Sequence, residues 1–361
     1  MKNIVILGGA RDYHAMDWYR SVKNNISKRK LTFLTDMVGG EGFDIIVDKD
    51  DNIENLFIID KLLFSKQSKI GNVWRNLIKI LVLPIQVYCL KKHSKKSPAT
   101  IYHAHPMYYM LLSWLSGVDF IGTPQGSEIL VRAERSRLYR YFAVKSLQAA
   151  EFVTVDSVSM RDKILELSGI EAVIVQNGID IKALSKFTDS AIERDKVASV
   201  RGMTDLYRID TILASRNRSD CGTPINFIYP FSEEAYRNNV KSMFGAYDKD
   251  LGRLDKESMY RLLSQCRLVI SIPKSDSSPR SVYESIFLGA CVAITHNRYF
   301  DMLPNCMKQR IYLVDLSNEH WFDEAVAFAD EISKINYVPS SVALEMFDQE
   351  ISMQKVIENL Y

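Results

Sequence analysis

Between residues 271 and 296 the chain gathers acidic, basic and hydroxyl side chains around the start of a predicted helix, in the run SIPKSDSSPRSVYESIFLGACVAITH. Ile270 and Ile272 close an apolar stretch that reads as a strand. Ser278 is a helix-capping residue type and Pro279 is pre-shaped for a first helical turn. Gly289 ends the helix before a second apolar stretch from Cys291 to Thr295. The first N–H groups of such a helix, from Arg280 onward, have no partner within the helix, and the helix dipole favours an anion there, such as a phosphate. Glu284 lies four residues after Arg280 and three after Ser281, so it shares their helix face one turn further in. A carboxylate at that depth suits a neutral polyol such as a ribose, whose hydroxyl pair donates to its two oxygens.

Such residues need strands and helices to carry them, and the pattern of the rest of the chain supplies both. Asn3 to Gly8 is strand-like, and Gly8 with Gly9 then allows a tight turn where a ligand can approach the backbone. The G-x-G-x-x-G fingerprint is absent there, so no nicotinamide site is read. Short apolar runs alternate with helical stretches in both halves, which predicts an α/β chain of two doubly wound domains. The predicted boundaries are 1–182 and 190–336, with the polar run 187–196 as linker and a terminal helix, about 340–361, crossing back onto the first domain. In open parallel sheets ligands bind beyond the carboxyl ends of strands, so the turns after Leu7, Thr123, Val200 and Pro273 are expected to open toward one crevice.

Composition narrows the classes. Hydrophobic residues make up 47% and charged residues 25% of 361 positions, as in a globular protein with sizeable cores. Five cysteines without a C-x-x-C pair suggest neither a zinc site nor a disulfide frame, and a reducing compartment fits best. The apolar run at the N-terminus is too short for a secretion signal, so a cytoplasmic protein is expected. The net charge of +2 hides an asymmetry, since residues 1–170 carry a net +7 and the remainder a net −5. A basic front half points toward an anionic surface such as a membrane or a diphosphate-linked lipid. Leu77 to Leu90 reads as a helix interrupted by Lys79, Pro84 and Gln86, too short and polar to span a bilayer. Its first reading is a core helix with a basic, solvated end. A second rests it, with Trp74 and the Lys91, Lys92, Lys95, Lys96 cluster, on an anionic membrane. His103 and His105 alternate on one strand face but lack a third ligand at metal spacing, so no metal site is read.

Asp276, Glu284 after seven intervening residues, and Gly289 together resemble the acidic pair of the retaining GT-B glycosyltransferases of the large family four, the glycosyltransferase group 1-like enzymes of bacterial polysaccharide type. The resemblance extends along nearly the whole chain and implies a GT-B fold. It implies that Arg201, after a strand and before a glycine, holds the donor diphosphate, and that Arg208 takes the place of a lysine usual near Tyr207. Asp276 would hold hydroxyls of the donor sugar and Glu284 the ribose, with Arg280 and Ser281 at the phosphate and Gly252 and Arg253 at the base. On the first-domain side the resemblance puts Arg11, His14 and His105 against donor sugar or acceptor. Gln125 and Gly126 stand where the family often has His-Gly, and Gln125 can bond a sugar hydroxyl but cannot relay a proton at neutral pH.

The activity so implied is metal-independent transfer of a sugar, with retention, from a nucleoside diphosphate sugar to a hydroxyl of a glycan or lipid-linked glycan. The setting would be surface polysaccharide synthesis at the inner face of the cell membrane. The resemblance implies no cofactor beyond the nucleotide sugar, and no nucleic-acid partner is expected. Two alternatives remain open at the level of sequence. A nucleotide-sugar epimerase of the same fold would convert the donor alone, and a non-catalytic nucleotide-sugar-binding protein would release no nucleoside diphosphate.

Overall fold

The computed structural model describes residues 3–9, 12–26, 29–39, 43, 47–64, 69–98, 100–175, 178–188, 192–219, 222–276 and 278–361. The chain divides into two compact units, residues 1–176 with 352–361, and residues 177–351. Each is built on a parallel sheet with helices on both faces.

In the first unit the strands are β1 (Asn3–Leu7), β2 (Leu31–Thr35), β3 (Asn52–Asn55), β4 (Thr100–Ala104), β5 (Phe120–Gly122), β6 (Phe152–Val155) and β7 (Val173–Ile174), in the order β3-β2-β1-β4-β5-β6-β7. The run NIVIL shows no polar alternation because both of its faces are covered, as parallel strands require. Ile4 and Ile6 pack with Phe33 under Met16, Tyr19 and Val22 of α1 (Tyr13–Asn25). Val5 and Leu7 face the other way, into a layer formed by α2 (Lys69–Lys96), α3 (Met107–Ser116), α4 (Arg137–Ala149) and α5 (Val158–Ser168). Each fully buried aliphatic side chain of this kind contributes roughly 1.5–3 kcal/mol.

The second unit orders β8 (Lys196–Ser199), β9 (Ile225–Ile228), β10 (Lys249–Gly252), β11 (Cys266–Ser271), β12 (Cys291–Ile294) and β13 (Ile311–Leu313) as β10-β9-β8-β11-β12-β13. On one face Val197, Phe227, Leu268 and Ile270 pack against α6 (Ile209–Arg216) and α9 (Trp321–Ile332). On the other, Ala198, Val269 and Val292 pack against α7 (Lys256–Ser264) and α8 (Arg280–Phe287). Ile179 and Leu184 already belong to this core, which is why the division falls at 176/177. The tail is shared. Ala343 and Phe347 pack into the second unit, whereas Met353 and Val356 of α10 (Gln349–Leu360) pack beside α1 in the first.

The strand order reverses once in each unit, between the paired strands β1 and β4 and between β8 and β11. There the crossovers leave in opposite directions, and the loops beyond the strand ends are left uncovered by the connecting helices.

α2 departs from the sequence reading. It runs unbroken for 28 residues through Pro84, and by length and composition it could cross a membrane. It is not a core helix either. Ile78, Lys79, Val82, Gln86 and Leu90 face inward, while Val73, Leu77, Ile80, Leu81, Ile85 and Tyr88 are exposed. The cause lies at the end of β2, where fully buried Asp36 sits under the helix. Its carboxylate accepts from Gln86 Nε2 at 3.1 Å, lies 3.3 Å from Lys79 Nζ, and is bonded by the Tyr109 hydroxyl. The Lys79 ammonium also sits over the rings of Tyr108 and Tyr109, 4.1 and 4.5 Å from their centres. Burial lowers the Lys79 pKa, with Asp36 opposing.

Candidate functional site

In the second unit, the loops after β8 and β11 meet at the switch point. Arg201 donates through Nη1 to Ser281 Oγ at 3.1 Å and through Nη2 to Asp276 Oδ2 at 2.5 Å, and its guanidinium lies 4.8 Å from the centre of the Tyr207 ring. Its Nε is buried without a partner. The ion pair is largely shielded, so the charges act through a medium far less screening than water. Two loops about seventy residues apart in sequence thus bring Arg201, Tyr207, Asp276 and Ser281 into one cluster at the N-terminus of α8. Tyr207, where the resemblance places a lysine, supplies a ring face instead of a second cation.

α8 begins at Arg280 as the spacing predicts, and it stops where Gly289 takes φ 94, a conformation costly for any other residue. A Cβ there would also strike the Arg194 guanidinium. Ser278 does not cap the helix. Pro279 occupies the cap with no side-chain bond, and Ser278 Oγ lies 3.4 Å from the Tyr283 hydroxyl. Glu284 is 6% exposed and accepts a 2.7 Å hydrogen bond from Tyr260 of α7. That partner had no signal in the sequence. Burial, then the Glu284 charge, raises the Tyr260 pKa, so the phenol stays a donor.

Arg208 does not join the cluster. It precedes α6 with φ 52, and its side chain makes no hydrogen bond or ion pair with a described residue. Lys274 lies beside this turn: its Nζ pairs with Asp205 and its backbone N–H donates to Leu206 O at 2.8 Å. Gly252 ends the edge strand β10 with φ 61, the left-handed turn that reserves the position for glycine, and Arg253 beyond it is exposed.

In the first unit the corresponding switch point lies between β1 and β4. Gly8 and Gly9 are buried, and close packing, not a positive φ, demands them. A Cβ on Gly8 would lie 2.7 Å from Ala15 Cβ, and one on Gly9 would lie 2.4 Å from Met37 Cε. Arg11 lies outside the described residues. His14 is exposed on the first turn of α1. Asp12 is the functional candidate that sequence reasoning missed, although an acid between a strand-end glycine turn and a helix is a readable cap signal. Its Oδ1 accepts from His14 N at 3.1 Å and from Gln125 Nε2 at 3.0 Å, while Oδ2 is buried without a partner. Burial raises the Asp12 pKa, with His14 opposing. Gln125 is further fixed by Glu128, whose carboxylate accepts from the backbone N–H groups of both Gln125 and Met107, at 2.9 and 3.0 Å. Gly126 follows with open space for a Cβ apart from Met160 Sδ at 3.7 Å.

His105 is only 2% exposed. Its ring packs against Trp18 and His103, with centres 5.1 and 4.5 Å away, and its Nε2 is a second orphaned buried atom. His103 bonds the Tyr361 hydroxyl through Nδ1 and lies 2.8 Å from Thr123 Oγ1 through Nε2. Burial lowers both histidine pKa values, that of His105 to about 3. Both are therefore neutral in the folded chain, whereas the unfolded chain takes up protons near the ordinary value. The resulting stability is complete above about pH 6.5 and is lost as pH falls toward the depressed values, at about 1.4 kcal/mol per pH unit for each histidine. Denaturant unfolding at stepped pH should show this loss, and His105→Asn should make the slope shallower. A slope unchanged in the variant would refute the assignment.

Among the described residues no group of three or more His, Cys, Asp and Glu side chains could hold a metal ion.

No family model matches the sequence, and no curated protein matches it. Its fold has many solved counterparts. Anabaena Alr3699/HepE in complex with UDP superposes with a TM-score of 0.72 at 12% identity, covering 100% of this chain and 99% of that one; HepE has also been solved with UDP-glucose. Sucrose-phosphate synthase from Thermosynechococcus elongatus gives 0.73 at 12% identity, with 99% and 98% covered. A glycosyltransferase from Rickettsia africae gives 0.70 at 14% identity, with 99% and 97% covered. The chain has the GT-B glycosyltransferase fold.

Proposed function

We propose that the protein is a retaining, metal-independent glycosyltransferase that moves a sugar from a nucleoside diphosphate sugar to a hydroxyl of a glycan or lipid-linked glycan. The observation that carries this reading is the Arg201 cluster. A guanidinium, a serine hydroxyl and the N-terminus of α8 converge at the switch point of the second sheet, with a carboxylate one helical turn deeper. Negative charge grows on the diphosphate as the glycosidic bond lengthens, and donors fixed beforehand stabilise it without reorganising. The sugar C–O bond to phosphate breaks, the acceptor oxygen bonds the same carbon from the same face, and the acceptor proton passes to the departing phosphate oxygen. Asp276 holds sugar hydroxyls, and its charge also keeps the Arg201 fork oriented before the donor arrives. Glu284, positioned by Tyr260, takes the ribose.

In the first unit, Asp12 and Gln125 present the polar groups for donor sugar or acceptor. The binding of UDP and UDP-glucose by HepE supports a nucleotide-sugar donor. The reading places the protein in the cytoplasm, at the inner face of the membrane, in surface polysaccharide synthesis.

The test is release of nucleoside diphosphate from UDP-, GDP- and dTDP-sugars with and without glycan acceptors. Acceptor-dependent release is expected. Donor isomerised without acceptor, or donor bound and never cleaved, would overturn the reading. Glu284→Ala is expected to weaken nucleoside diphosphate binding about 10–100-fold by calorimetry, the scale of losing hydrogen bonds to a charged group. Unchanged affinity would remove Glu284 from the site.

A further inference from the structure

We infer that α2 is a membrane-docking element that lies flat in the headgroup region of an anionic bilayer without crossing it. The helix is inverted relative to a surface helix of a soluble protein, for it turns Lys79 and Gln86 inward and an apolar stripe outward. Val73, Leu77, Ile80, Leu81, Ile85 and Tyr88 recur every three or four residues, and Val73, Ile80 and Tyr88 are 71%, 66% and 66% exposed. At one end of the stripe Trp74, tied by Nε1 to Leu62 O at 2.7 Å, adds exposed Leu62 and Phe64. At the other end Lys91, Lys92, Lys95 and Lys96 are all exposed. Aromatic residues at one end and lysines at the other suit the boundary between headgroups and acyl chains.

Charge selects the occupant. From Lys61 to Val118 the sequence has nine Lys and Arg residues, the four terminal lysines of α2 among them, and no Asp or Glu; only Lys79 of the nine is turned inward to Asp36 among the described residues. A second copy of this chain would set two such basic faces together, whereas an anionic leaflet complements them. α4, beyond α3 in the same helix layer, repeats the pattern with exposed Leu138 and Tyr141 beside Arg137 and Arg140. The inner face decides between lying and spanning. Lys79 and Gln86 are bonded to Asp36 at the carboxyl end of β2, and a spanning helix would have to abandon that pairing in hydrocarbon.

This inference does not depend on the catalytic reading, and its test reads binding alone. The full chain is co-sedimented with vesicles of phosphatidylcholine, or of phosphatidylcholine mixed with phosphatidylglycerol. Binding to the mixture is expected, at least about tenfold weaker on neutral vesicles and at high salt. Ile80→Glu with Leu81→Glu, and separately Lys91, Lys92, Lys95 and Lys96 each changed to Gln, should each weaken binding by about tenfold or more at unchanged melting temperature. Equal binding to neutral and anionic vesicles, or undiminished binding by both variants, would overturn the proposal. So would a lipid-free dimer that Ile80→Glu with Leu81→Glu makes monomeric, or retention in vesicles through an alkaline carbonate wash, the mark of a spanning helix.

Discussion

Arg201→Ala should lower turnover by about 10²–10³-fold, the loss seen when one preorganised charge-stabilising donor is removed. The side chain reaches Asp276 and Ser281 from a different strand end, and its plane lies over Tyr207, so its position is set from several sides before any ligand binds. Lysine restores the charge but neither the two-pronged geometry nor the stacking, and Arg201→Lys should recover only a fraction of the rate. The measurement is single-turnover release of nucleoside diphosphate by purified variants with matched melting curves. Wild-type turnover in Arg201→Ala would remove the central residue of the proposed mechanism. A fall in affinity with unchanged turnover would recast Arg201 as a binding residue acting equally on ground and transition states.

The largest effect on stability is expected at Lys79. Lys79→Ala should destabilise the first unit by about 3–5 kcal/mol, because it leaves the Asp36 carboxylate buried beneath α2 without its cation. Asp36→Leu should cost a similar amount, since the buried Lys79 ammonium loses its counter-ion, the Tyr109 hydroxyl loses its acceptor and Gln86 Nε2 loses the shorter of its two. The pairing makes the two changes non-additive. The double variant Asp36→Leu with Lys79→Met should fall short of the sum of the single effects by about 0.5–3 kcal/mol, as for residues in one network. It should not return to wild-type stability, because the Tyr109 hydroxyl loses its acceptor and Gln86 Nε2 keeps only Phe57 O at 3.4 Å. Additive losses in denaturant unfolding would mean that the ion pair does not seat the helix.

Those two expectations rest on different kinds of information. Arg201 follows a strand-like run and precedes a glycine, and the helix beginning at Arg280 is bracketed by Pro279 and Gly289; both are local signals. The parallel sheets were legible for the same reason, since runs such as NIVIL and CRLVIS lack the alternation of a half-exposed strand. Asp12 was missed, although a cap-type residue after a strand-end turn is a local signal, and nothing nearby announced its bond to Gln125. Ser278 misled, because capping type at the right spacing does not fix the backbone path through Pro279. α2 misled more deeply. Its composition suggested a short core helix, yet the buried carboxylate of Asp36 on another element drew two polar side chains inward and turned the apolar ones out.

By itself the sequence determined what side-chain spacing and backbone preference can encode over a few residues: where strands and helices run, where they stop, and which chemical groups stand at their ends. Only tertiary structure decided which of those groups are already engaged: Asp276 by Arg201, Glu284 by Tyr260, Asp36 by Lys79, while the buried Nε2 of His105 has no partner. The reason is that a charge or a hydrogen bond acts across a few ångströms of space. Which residues come that close is set by strand order and helix layering, through cores that bury side chains from the whole length of each unit.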